Sequence, residues 1–268
     1  MALPRSPHVV ITGAGSGFGR ALALALAECG ARLVLSDVNE PTVAETARMA
    51  LSRGAREARS VTCDVSKLDD VEALAASCRD PIDLVVNNAG VSSVGLVGDS
   101  AIADWRWTLD VNLFGVIHGC HAFVPRLRAQ GHGHVLNVAS AAGLVSIPNM
   151  GAYNVSKAGV VALSETLLSE LVGTKIGVTV LCPTFFQTDI VKNGRYPSAK
   201  HQALAQKLVD GGTSAEVIAQ AALKAVLANQ FFCVPMLDGR WFWRAKRLAP
   251  SVFARLVGRV ANYEKRVR

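Results

Sequence analysis

The amino-acid sequence predicts an α/β fold built on a doubly wound parallel sheet. Short runs rich in β-branched residues alternate with longer segments whose apolar residues recur every three or four positions. The short runs are apolar almost throughout, as expected of strands that helices cover on both faces. In such sheets the crossovers are right-handed and ligands bind at the carboxyl ends of the strands. Functional residues are therefore expected where the apolar runs end.

About seven strands and six helices are predicted from these patterns. The strands lie at residues 8–12, 32–36, 60–63, 82–86, 134–138, 176–182 and 231–234. The helical pattern covers residues 18–28, 40–53, 67–79, 101–129, 152–173 and 214–229. The connection from 184 to 212 is long for a segment between a strand and a helix, which favours a substrate-binding element or a lid.

The composition is that of a folded protein with a large core. Of the 268 residues, 50% are hydrophobic and 18% are charged, which argues against a disordered chain. Because no Pro/Gly/Ser-rich linker divides the chain, we expect one domain over residues 1–238, followed by a basic extension over 239–268. Neither a signal peptide nor an apolar run of about 18 residues is evident, so a cytoplasmic protein is expected.

Cysteine and histidine spacing does not indicate a metal site. The six cysteines are scattered singly, without a C-x-x-C pair. Two histidine pairs occur, His118 with His121 and His132 with His134, but no acidic or cysteine residue lies at ligand spacing from them. No metal is therefore predicted.

A glycine-rich segment, "TGAGSGFG", follows the first predicted strand and opens the first helix. The pattern T-G-x-x-x-G-x-G fits it, whereas G-x-G-x-x-G fails because Phe18 stands at the third glycine position. Glycines let the backbone turn tightly and approach a pyrophosphate, whose charge is stabilised at the helix N-terminus. A glycine-rich turn without a ligand is the alternative. The predicted cofactor-binding residues of this loop are Thr12, Gly13, Gly15, Ser16, Gly17, Phe18 and Gly19.

Asp37 closes the second predicted strand, where an acidic residue is expected to bind the adenosine ribose hydroxyls of a dinucleotide. Its carboxylate would repel the 2′-phosphate of NADP. No basic residue stands at Ser16 or at Val38 to neutralise that phosphate. NAD is therefore predicted over NADP, with a simple turn residue as the alternative for Asp37.

The segment "YNVSKAG" places Tyr153 and Lys157 four residues apart at the start of a helical pattern. On a helix the two side chains share a face. Free tyrosine has a pKa of about 10, and a nearby ammonium group favours the phenolate and lowers that pKa. The pair is predicted to be acid/base machinery; a solvated helix start is the alternative.

Taken together, these motifs resemble those of the short-chain dehydrogenase/reductase family, in its single-domain, non-extended branch. The resemblance rests on "TGAGSGFG", "CDV" at 63–65, "NNAG" at 87–90, Asn112, Ser140 and "YNVSK", which occur in this order between about residues 8 and 235. A serine that ends the fifth strand 13 residues before a Y-x-x-x-K motif makes the combination specific. The resemblance implies a Rossmann-type fold and alcohol/ketone oxidoreduction with a nicotinamide cofactor.

The resemblance implies a catalytic set of Asn112, Ser140, Tyr153 and Lys157. Tyr153 would exchange the proton of the substrate hydroxyl, Lys157 would lower the pKa of Tyr153 and bind the nicotinamide ribose, and Ser140 would hold the substrate oxygen. Asn112 would anchor a water that relays protons from Lys157. A water-exposed asparagine within a helix is the alternative for Asn112.

Further cofactor contacts are carried over from the family. They are Asp64, Val65, Asn88, Ala89, Gly90, Pro183 and Thr188, in addition to Tyr153 and Lys157. One position departs from the family pattern, because Thr184 replaces the usual glycine after Pro183. A different loop path is therefore expected before Thr188, since threonine has less backbone freedom than glycine.

Apolar residues near the predicted site favour a lipophilic or aromatic secondary alcohol or ketone, such as a steroid, a fatty acyl derivative or an aryl carbinol. The candidate substrate residues are Leu144, Val145, Met150, Phe185 and Phe186. A catalytically silent cofactor-binding sensor is the alternative function. No nucleic-acid partner is predicted, since no recognised nucleic-acid module accompanies the basic residues.

The basic extension predicts a further helix from Pro250. Val252, Phe253, Leu256, Val257 and Val260 form an apolar stripe flanked by arginines. Packing on the protein body, with the tryptophans closing the substrate site, and weak peripheral contact with an anionic membrane are both open. For assembly, the family resemblance implies a homodimer or homotetramer formed through the helices near 101–129 and 152–173. A dimer is favoured because the family's glycine-rich ending is missing.

Overall fold

The sheet contains seven parallel strands, and its strand order reverses between the first and the fourth. The computed structural model describes the backbone of residues 3–266 and the side chains of residues 3–259. The sheet order is β3-β2-β1-β4-β5-β6-β7. The strands are β1 (His8–Thr12), β2 (Arg32–Asp37), β3 (Glu57–Thr62), β4 (Leu84–Asn87), β5 (Gly133–Val138), β6 (Ile176–Leu181) and β7 (Phe232–Cys233).

Helices cover both faces of this sheet, as predicted. They are α1 (Gly17–Ala27), α2 (Glu40–Ser52), α3 (Leu68–Ser77), α4 (Ile102–Leu109), α5 (Gly115–Gln130), α6 (Ala141–Val145), α7 (Gly151–Glu170), α8 (Ala199–Asp210), α9 (Ala215–Leu227), α10 (Leu237–Leu248) and α11 (Pro250–Arg266). A π turn, Asp110–Phe114, joins α4 to α5. The Rossmann-type architecture predicted from the sequence is confirmed.

Two hydrophobic cores form because successive residues of a strand point to opposite faces. In β1, Val9 and Ile11 belong to the core beneath α1, α2 and α9, whereas Val10 belongs to the core beneath α3, α5 and α7. Phe123 and Leu127 of α5 are fully buried in the second core. Burial of each such large side chain contributes about 1.5–3 kcal/mol, so this packing fixes the sheet on which the strand ends are displayed.

The point of strand reversal is held by side-chain hydrogen bonds between the ends of β1 and β4. Thr12 Oγ1 donates to Val86 O at 3.4 Å and accepts from Asn88 N at 3.0 Å and Ala89 N at 3.2 Å. Asn88 Nδ2 in turn donates to Thr12 O at 2.8 Å and to Gly13 O at 2.9 Å. The "NNAG" segment therefore supports the glycine-rich loop from below.

The first part of the basic extension packs against the protein body. Trp243 of α10 lies against Phe232, with ring centroids 4.7 Å apart. Arg240 Nε donates to Val234 O at 2.6 Å, and Lys246 Nζ donates to Leu144 O at 2.8 Å. No helix within residues 3–266 is both long and apolar enough to cross a membrane.

The side chains of the predicted apolar stripe of α11 do not all face the protein. Phe253 is partly buried and lies 6.4 Å from Phe242, ring centroid to ring centroid. Val252 and Leu256 are exposed instead. The side chain of Val260, the fifth member of the predicted stripe, lies outside the described residues.

Candidate active site

The backbone of the glycine-rich loop turns tightly at Gly13 and Gly17. Gly13 and Gly17 have φ angles of +65° and +50°, a region that other residues rarely adopt. A Cβ atom at Gly13 would lie 2.7 Å from Ala89 Cα, and one at Gly17 would lie 2.7 Å from Thr188 Oγ1. These two positions therefore require glycine, both for the backbone angles and for the close packing of the loop against Ala89 and Thr188.

The N-terminus of α1 supplies hydrogen-bond donors for a ligand. Ser16 precedes α1 in an extended conformation, and its hydroxyl makes no capping hydrogen bond to the described residues. The first turn of α1 contains no acidic side chain. Its backbone N–H groups and the helix dipole therefore favour an anion such as a pyrophosphate. The Phe18 side chain is buried in the core, so Phe18 can contribute only its backbone.

Asp37 lies at the end of β2, beside the glycine-rich loop. Its Oδ2 accepts a hydrogen bond from Gly15 N at 2.9 Å, and its Oδ1 accepts one from Asn39 N at 3.0 Å. Each oxygen keeps a free lone pair for a ribose hydroxyl. The nearby cation Arg20, which sequence reasoning missed, donates to Gly15 O at 2.6 Å and pairs with Glu45 at 2.9 Å. Arg20 thus supports the loop and is already paired.

Tyr153 and Lys157 share one face of α7, as their spacing predicts. Lys157 Nζ lies 5.8 Å from the centroid of the Tyr153 ring and donates to Val138 O, at the end of β5, at 2.9 Å. Lys157 is 2% exposed. Ser140 begins α6 and its Oγ accepts from Ala142 N at 3.1 Å. The C-terminal end of β5 and the N-terminal end of α7 thereby bring the serine, the phenol and the ammonium group together.

The pKa of Tyr153 is shifted in the direction opposite to the prediction. Burial raises this pKa above its ordinary value, while the nearby Ser140 hydroxyl acts in the other direction. The expectation of a lowered pKa is therefore wrong for the protein chain alone, because burial disfavours the charged phenolate. Burial also lowers the pKa of Lys157 to about 8. Cys182 does not act as a counter-ion, since burial raises the pKa of its thiol to about 12.

Asn112 lies in the π turn and is fully buried, which contradicts the alternative of a water-exposed helix residue. Its Oδ1 accepts from Val91 N at 2.7 Å, and its Nδ2 donates to Val91 O at 2.9 Å and to Ser156 Oγ at 3.3 Å. The side chain thus ties the loop after β4 to the turn of α7 that carries Lys157. π turns occur frequently at functional sites.

Of the other predicted cofactor residues, Gly90 faces the catalytic residues, whereas Asp64 and Val65 are engaged with other groups of the protein. Gly90 faces the catalytic residues, since a Cβ there would lie 3.2 Å from Asn112 Oδ1 and 3.5 Å from Lys157 Nζ. Asp64 is engaged locally, where its Oδ1 accepts from Ser66 Oγ at 2.7 Å. Val65 is buried, and its carbonyl lies 2.9 Å from His118 Nδ1.

The loop after β6 reaches the cofactor side despite the threonine that replaces glycine. Pro183 O accepts from Ala141 N at 2.8 Å, and Thr184 Oγ1 donates to Asp238 Oδ1 of α10 at 3.2 Å. Thr188 then lies against Gly17 of the glycine-rich loop, and both residues line a cleft of about 430 Å³. Polar residues line most of this cleft: Gly17, Gln187, Thr188, Asp189, Lys192, Gln206 and Asp210.

The five predicted substrate residues do not form one pocket. Leu144 and Val145 are buried in the second core, and Phe186 packs edge-on against Phe18 at 6.4 Å between ring centroids. Leu144 and Val145 pack inward because the apolar run after Ser140 forms α6, and a role of these residues and of Phe186 in substrate binding stays a prediction. Met150 is partly buried and Phe185 is 41% exposed, so these two stay candidates.

Two residues of the connection after β6 were missed by sequence reasoning. Arg195 pairs with Asp104 at 2.7 Å and stacks 4.2 Å over the Trp107 ring, which fixes the connection to α4. The Tyr196 phenol oxygen is buried and has no hydrogen-bond partner among the described residues. Tyr196 also acts on the pKa of Tyr153, which places it near the phenol of that residue. Neither residue belongs to a motif that marks it in the sequence.

The histidines have structural contacts. His134 Nε2 lies 2.8 Å from Thr179 Oγ1, and burial lowers the pKa of His134 to about 4. His121 Nε2 lies 3.8 Å from Glu72 Oε1. Among the residues that the structure describes, no group of three or more His, Cys, Asp or Glu side chains is arranged to hold a metal ion.

Comparison with known proteins identifies the family. The family model described as short chain dehydrogenase matches residues 7–198, from the first strand into the connection after β6. This chain is a short-chain dehydrogenase/reductase. Members of this family are oxidoreductases that bind NAD or NADP, act on small molecules and commonly form oligomers.

Individual relatives support the assignment over most of the chain. The oxidoreductase SadH of Mycobacterium tuberculosis is 34% identical, over 92% of this chain and 92% of that protein. Epidermal retinol dehydrogenase 2 of Mus musculus is 34% identical over 67% of this chain and 60% of its own length. A short-chain dehydrogenase/reductase from Burkholderia phymatum, solved in complex with NAD, is 35% identical with a TM-score of 0.87, over 92% of this chain and 95% of that one.

Proposed function

We propose that this short-chain dehydrogenase/reductase uses NAD to interconvert a secondary alcohol and its ketone, with Tyr153 as the acid/base. The observation that carries the proposal is the placement of the Lys157 ammonium group beneath Tyr153, with Ser140 beside the phenol. Among the described residues, Lys157 has one hydrogen-bond partner, Val138 O. A buried cation so sparsely paired costs stability, and such groups are concentrated at functional sites.

Each residue of the site has a distinct role in the proposed reaction. Bound NAD would supply the hydride acceptor for oxidation, and its reduced form the hydride donor for reduction. Tyr153 Oη removes the hydroxyl proton in oxidation and returns it in reduction. Ser140 Oγ donates a hydrogen bond to the substrate oxygen and stabilises the charge that develops there. The Lys157 ammonium group stabilises the phenolate and so opposes the effect of burial on the pKa of Tyr153.

Asn112 organises the space next to Lys157. A proton relay from Lys157 to a water at Asn112 is part of this proposal, and it is compatible with the hydrogen bonds to Val91 because an amide oxygen accepts more than one. Those same hydrogen bonds position the loop after β4 relative to α7.

The preference for NAD is supported by the charges at the end of β2. The Asp37 carboxylate lies beside the glycine-rich loop, and the next residue, Val38, is 68% exposed and uncharged. Arg20 is paired with Glu45. A 2′-phosphate would therefore meet Asp37 without a free basic partner among these residues, which disfavours NADP.

A lipophilic substrate is supported by exposed apolar side chains on the segments that follow β4 and β6. Leu96 and Val97 are 47% and 71% exposed, on a loop joined to the start of α7 where Gly95 N donates to Asn149 O at 2.6 Å. Met150 follows Asn149, and Phe185 is 41% exposed on the connection after β6. The related mouse protein is named for retinol, a primary alcohol with an extended apolar body, so this relative supports the apolar body of the substrate and not the secondary carbon. We therefore expect a secondary alcohol with an extended apolar or aromatic body.

The proposal is tested by NAD reduction over a panel of steroid, fatty acyl and aryl secondary alcohols, compared with sugars and small hydroxy acids. We expect turnover with the apolar alcohols and a higher kcat/KM with NAD than with NADP. Tyr153→Phe should lower kcat by a factor of about 10²–10⁴, the usual contribution of a positioned acid/base. Its NAD affinity, measured by titration calorimetry, should change little.

Thr166→Val, which removes a hydroxyl group from an exposed residue of the same helix, serves as the matched control and should keep its activity. Turnover confined to polar alcohols would contradict the substrate class. Tight NAD binding without turnover of any alcohol or ketone in the wild-type protein would favour the sensor alternative. A Tyr153→Phe protein with full kcat would overturn the catalytic role of Tyr153.

A further inference from the structure

The two terminal helices present one face to the protein and another to solvent. In α10, Gly239 is buried, Trp243 packs on Phe232, and Lys246 donates to Leu144 O. Leu237, Trp241 and Leu248 recur on the opposite side of the same helix, at spacings of four and seven residues. The inner contacts fix α10 and so leave the second face turned away from the body.

That outer face exposes large apolar side chains. Leu237, Trp241 and Leu248 are 71%, 68% and 87% exposed. In α11, Val252 and Leu256, four residues apart, are 55% and 54% exposed. Single exposed apolar residues are common, but a group of this kind on two consecutive helices indicates an interaction surface. We call these five residues and the arginines beside them the outer face.

The outer face is also strongly cationic. Arg244 and Arg247 of α10 and Arg255 and Arg259 of α11 are exposed. From residue 239 to the C-terminus the sequence contains nine Lys and Arg against one acid, Glu264. The rest of the chain contains 19 Lys and Arg against 20 Asp and Glu, so the net positive charge of the protein comes from this extension.

We propose that the outer face of α10 and α11 docks on the surface of an anionic lipid membrane. Apolar and aromatic side chains next to arginines fit the boundary between lipid headgroups and acyl chains, where the apolar groups enter and the cations meet phosphates. Each Lys or Arg near such a surface contributes about 1 kcal/mol. A second copy of this chain is a poorer occupant, because the same basic face would meet itself.

The inner side of α10, opposite the outer face, contacts the elements next to the catalytic serine. Lys246 of α10 bonds to Leu144 of α6, the helix that Ser140 begins, and Asp238 bonds to Thr184 at the start of the connection after β6. A docked protein would thus hold these elements near the lipid surface. The docking itself does not depend on the proposed reaction and is testable without a substrate.

The test is co-sedimentation of the full-length protein with phosphatidylcholine vesicles, with and without phosphatidylglycerol, at low and high salt. We expect binding to the anionic vesicles only, and weakening by salt, because screening reduces attraction between exposed charges. A Trp241→Ser, Leu248→Ser double variant should bind at least about tenfold more weakly, since it removes two of the exposed apolar groups. An Arg244→Gln, Arg255→Gln double variant should also bind more weakly and show a smaller salt dependence, since it removes two of the four exposed arginines of the outer face.

Val172→Ser, Val38→Ser provides the matched control, because these valines are 79% and 68% exposed on other parts of the molecule. It should bind like the wild type, and all variants should keep the wild-type thermal midpoint, which confirms that they fold. No binding at low salt, or equal binding of wild type and both tail variants, would overturn the proposal. A change of mass in light scattering caused by the tail variants, without a change in vesicle binding, would assign the face to a second copy instead.

Discussion

At the scale of single residues, the spacing of Tyr153 and Lys157 predicts where their side chains lie, whereas their surroundings determine their pKa values. Four residues on a helix place two side chains on one face, and the ammonium group lies 5.8 Å from the ring centroid. The pKa of Tyr153 depends on burial and on Ser140 and Tyr196, which are 13 and 43 positions away in the sequence. The spacing of the motif carries no information about that burial.

Lys157 should make the protein less stable at neutral pH. Its pKa is about 8 in the fold, below the ordinary 10.5, because burial disfavours the ammonium form. Between pH 8 and 10.5 the unfolded chain binds the proton that the folded chain has lost, so the free energy of unfolding rises with pH by up to about 1.4 kcal/mol per unit. The destabilisation is therefore fully present below pH 8 and is relieved above it.

We predict that Lys157→Met raises the free energy of unfolding at pH 7 by about 1–3 kcal/mol while abolishing turnover. This advantage over the wild type should shrink by about 1 kcal/mol at pH 9, as the lysine of the wild type becomes neutral. Urea denaturation of the two proteins at both pH values measures the effect. Lys175→Met, at an exposed lysine, is the control and should show no pH-dependent difference. A Lys157→Met protein less stable than the wild type at pH 7 would contradict the argument.

At the scale of elements, the helices and strands with the strongest apolar pattern were predicted most accurately. Buried strands such as β1 and β6 were predicted closely because all their residues are apolar or buried. The edge strand β3 begins at Glu57, three residues before its predicted start, since its sequence EARSVT is largely polar and partly exposed. The connection 184–212 contains α8, whose mostly exposed residues give a weak helical signal.

The π turn shows how one side chain can join three elements. The helical pattern at 101–129 is continuous in the sequence, and an extra residue within the turn does not interrupt it. What fixes the turn is Asn112, whose amide pairs with both backbone groups of Val91 and reaches Ser156 on α7. These long-range partners are visible only in the fold.

We predict that Asn112→Ala lowers the free energy of unfolding by about 2–4 kcal/mol, because it leaves the N–H and C=O groups of Val91 without their side-chain partner in a partly buried position. Urea denaturation measures this loss. Asp110→Asn, at an exposed residue of the same turn, should change stability by no more than about 0.5 kcal/mol. Equal stabilities of Asn112→Ala and the wild type would show that the amide does not hold the loop.

At the scale of the whole molecule, the sequence predicted the chemical centre better than its surroundings. The glycine-rich loop, Ser140, Tyr153 and Lys157 meet at the carboxyl ends of adjacent strands, as parallel topology requires. The core packing of Leu144 and Val145 was not predicted, because an apolar residue near a site packs inward as readily as it lines a pocket. Tyr196 was not predicted because an isolated tyrosine in a long connection belongs to no recognisable motif.

The described surface also leads to an expectation about the oligomeric state of the protein. Apolar residues of the helices predicted to form the interface are exposed: Ile102 by 65%, Phe114 by 46% and Val155 by 49%. On α7, Val155 and Ala162 stand seven residues apart, two helical turns, and both are exposed. A symmetric dimer that pairs α5 and α7 of two copies would bury these residues, whereas the basic tails would stay apart.

We predict that the wild-type protein has the mass of a dimer in light scattering and that Ala162→Arg converts it to a monomer, because the paired α7 helices would each bring an unpaired cation into the contact. Ala203→Arg, at an exposed alanine of α8, should leave the dimer intact. Both substitutions lie on the surface, so the thermal midpoint at a concentration where the protein is monomeric should be the same for all three. A monomeric wild type, or a dimeric Ala162→Arg protein, would exclude this interface, since a stable one buries about 1,200–2,000 Å² and does not accommodate a charge at its centre.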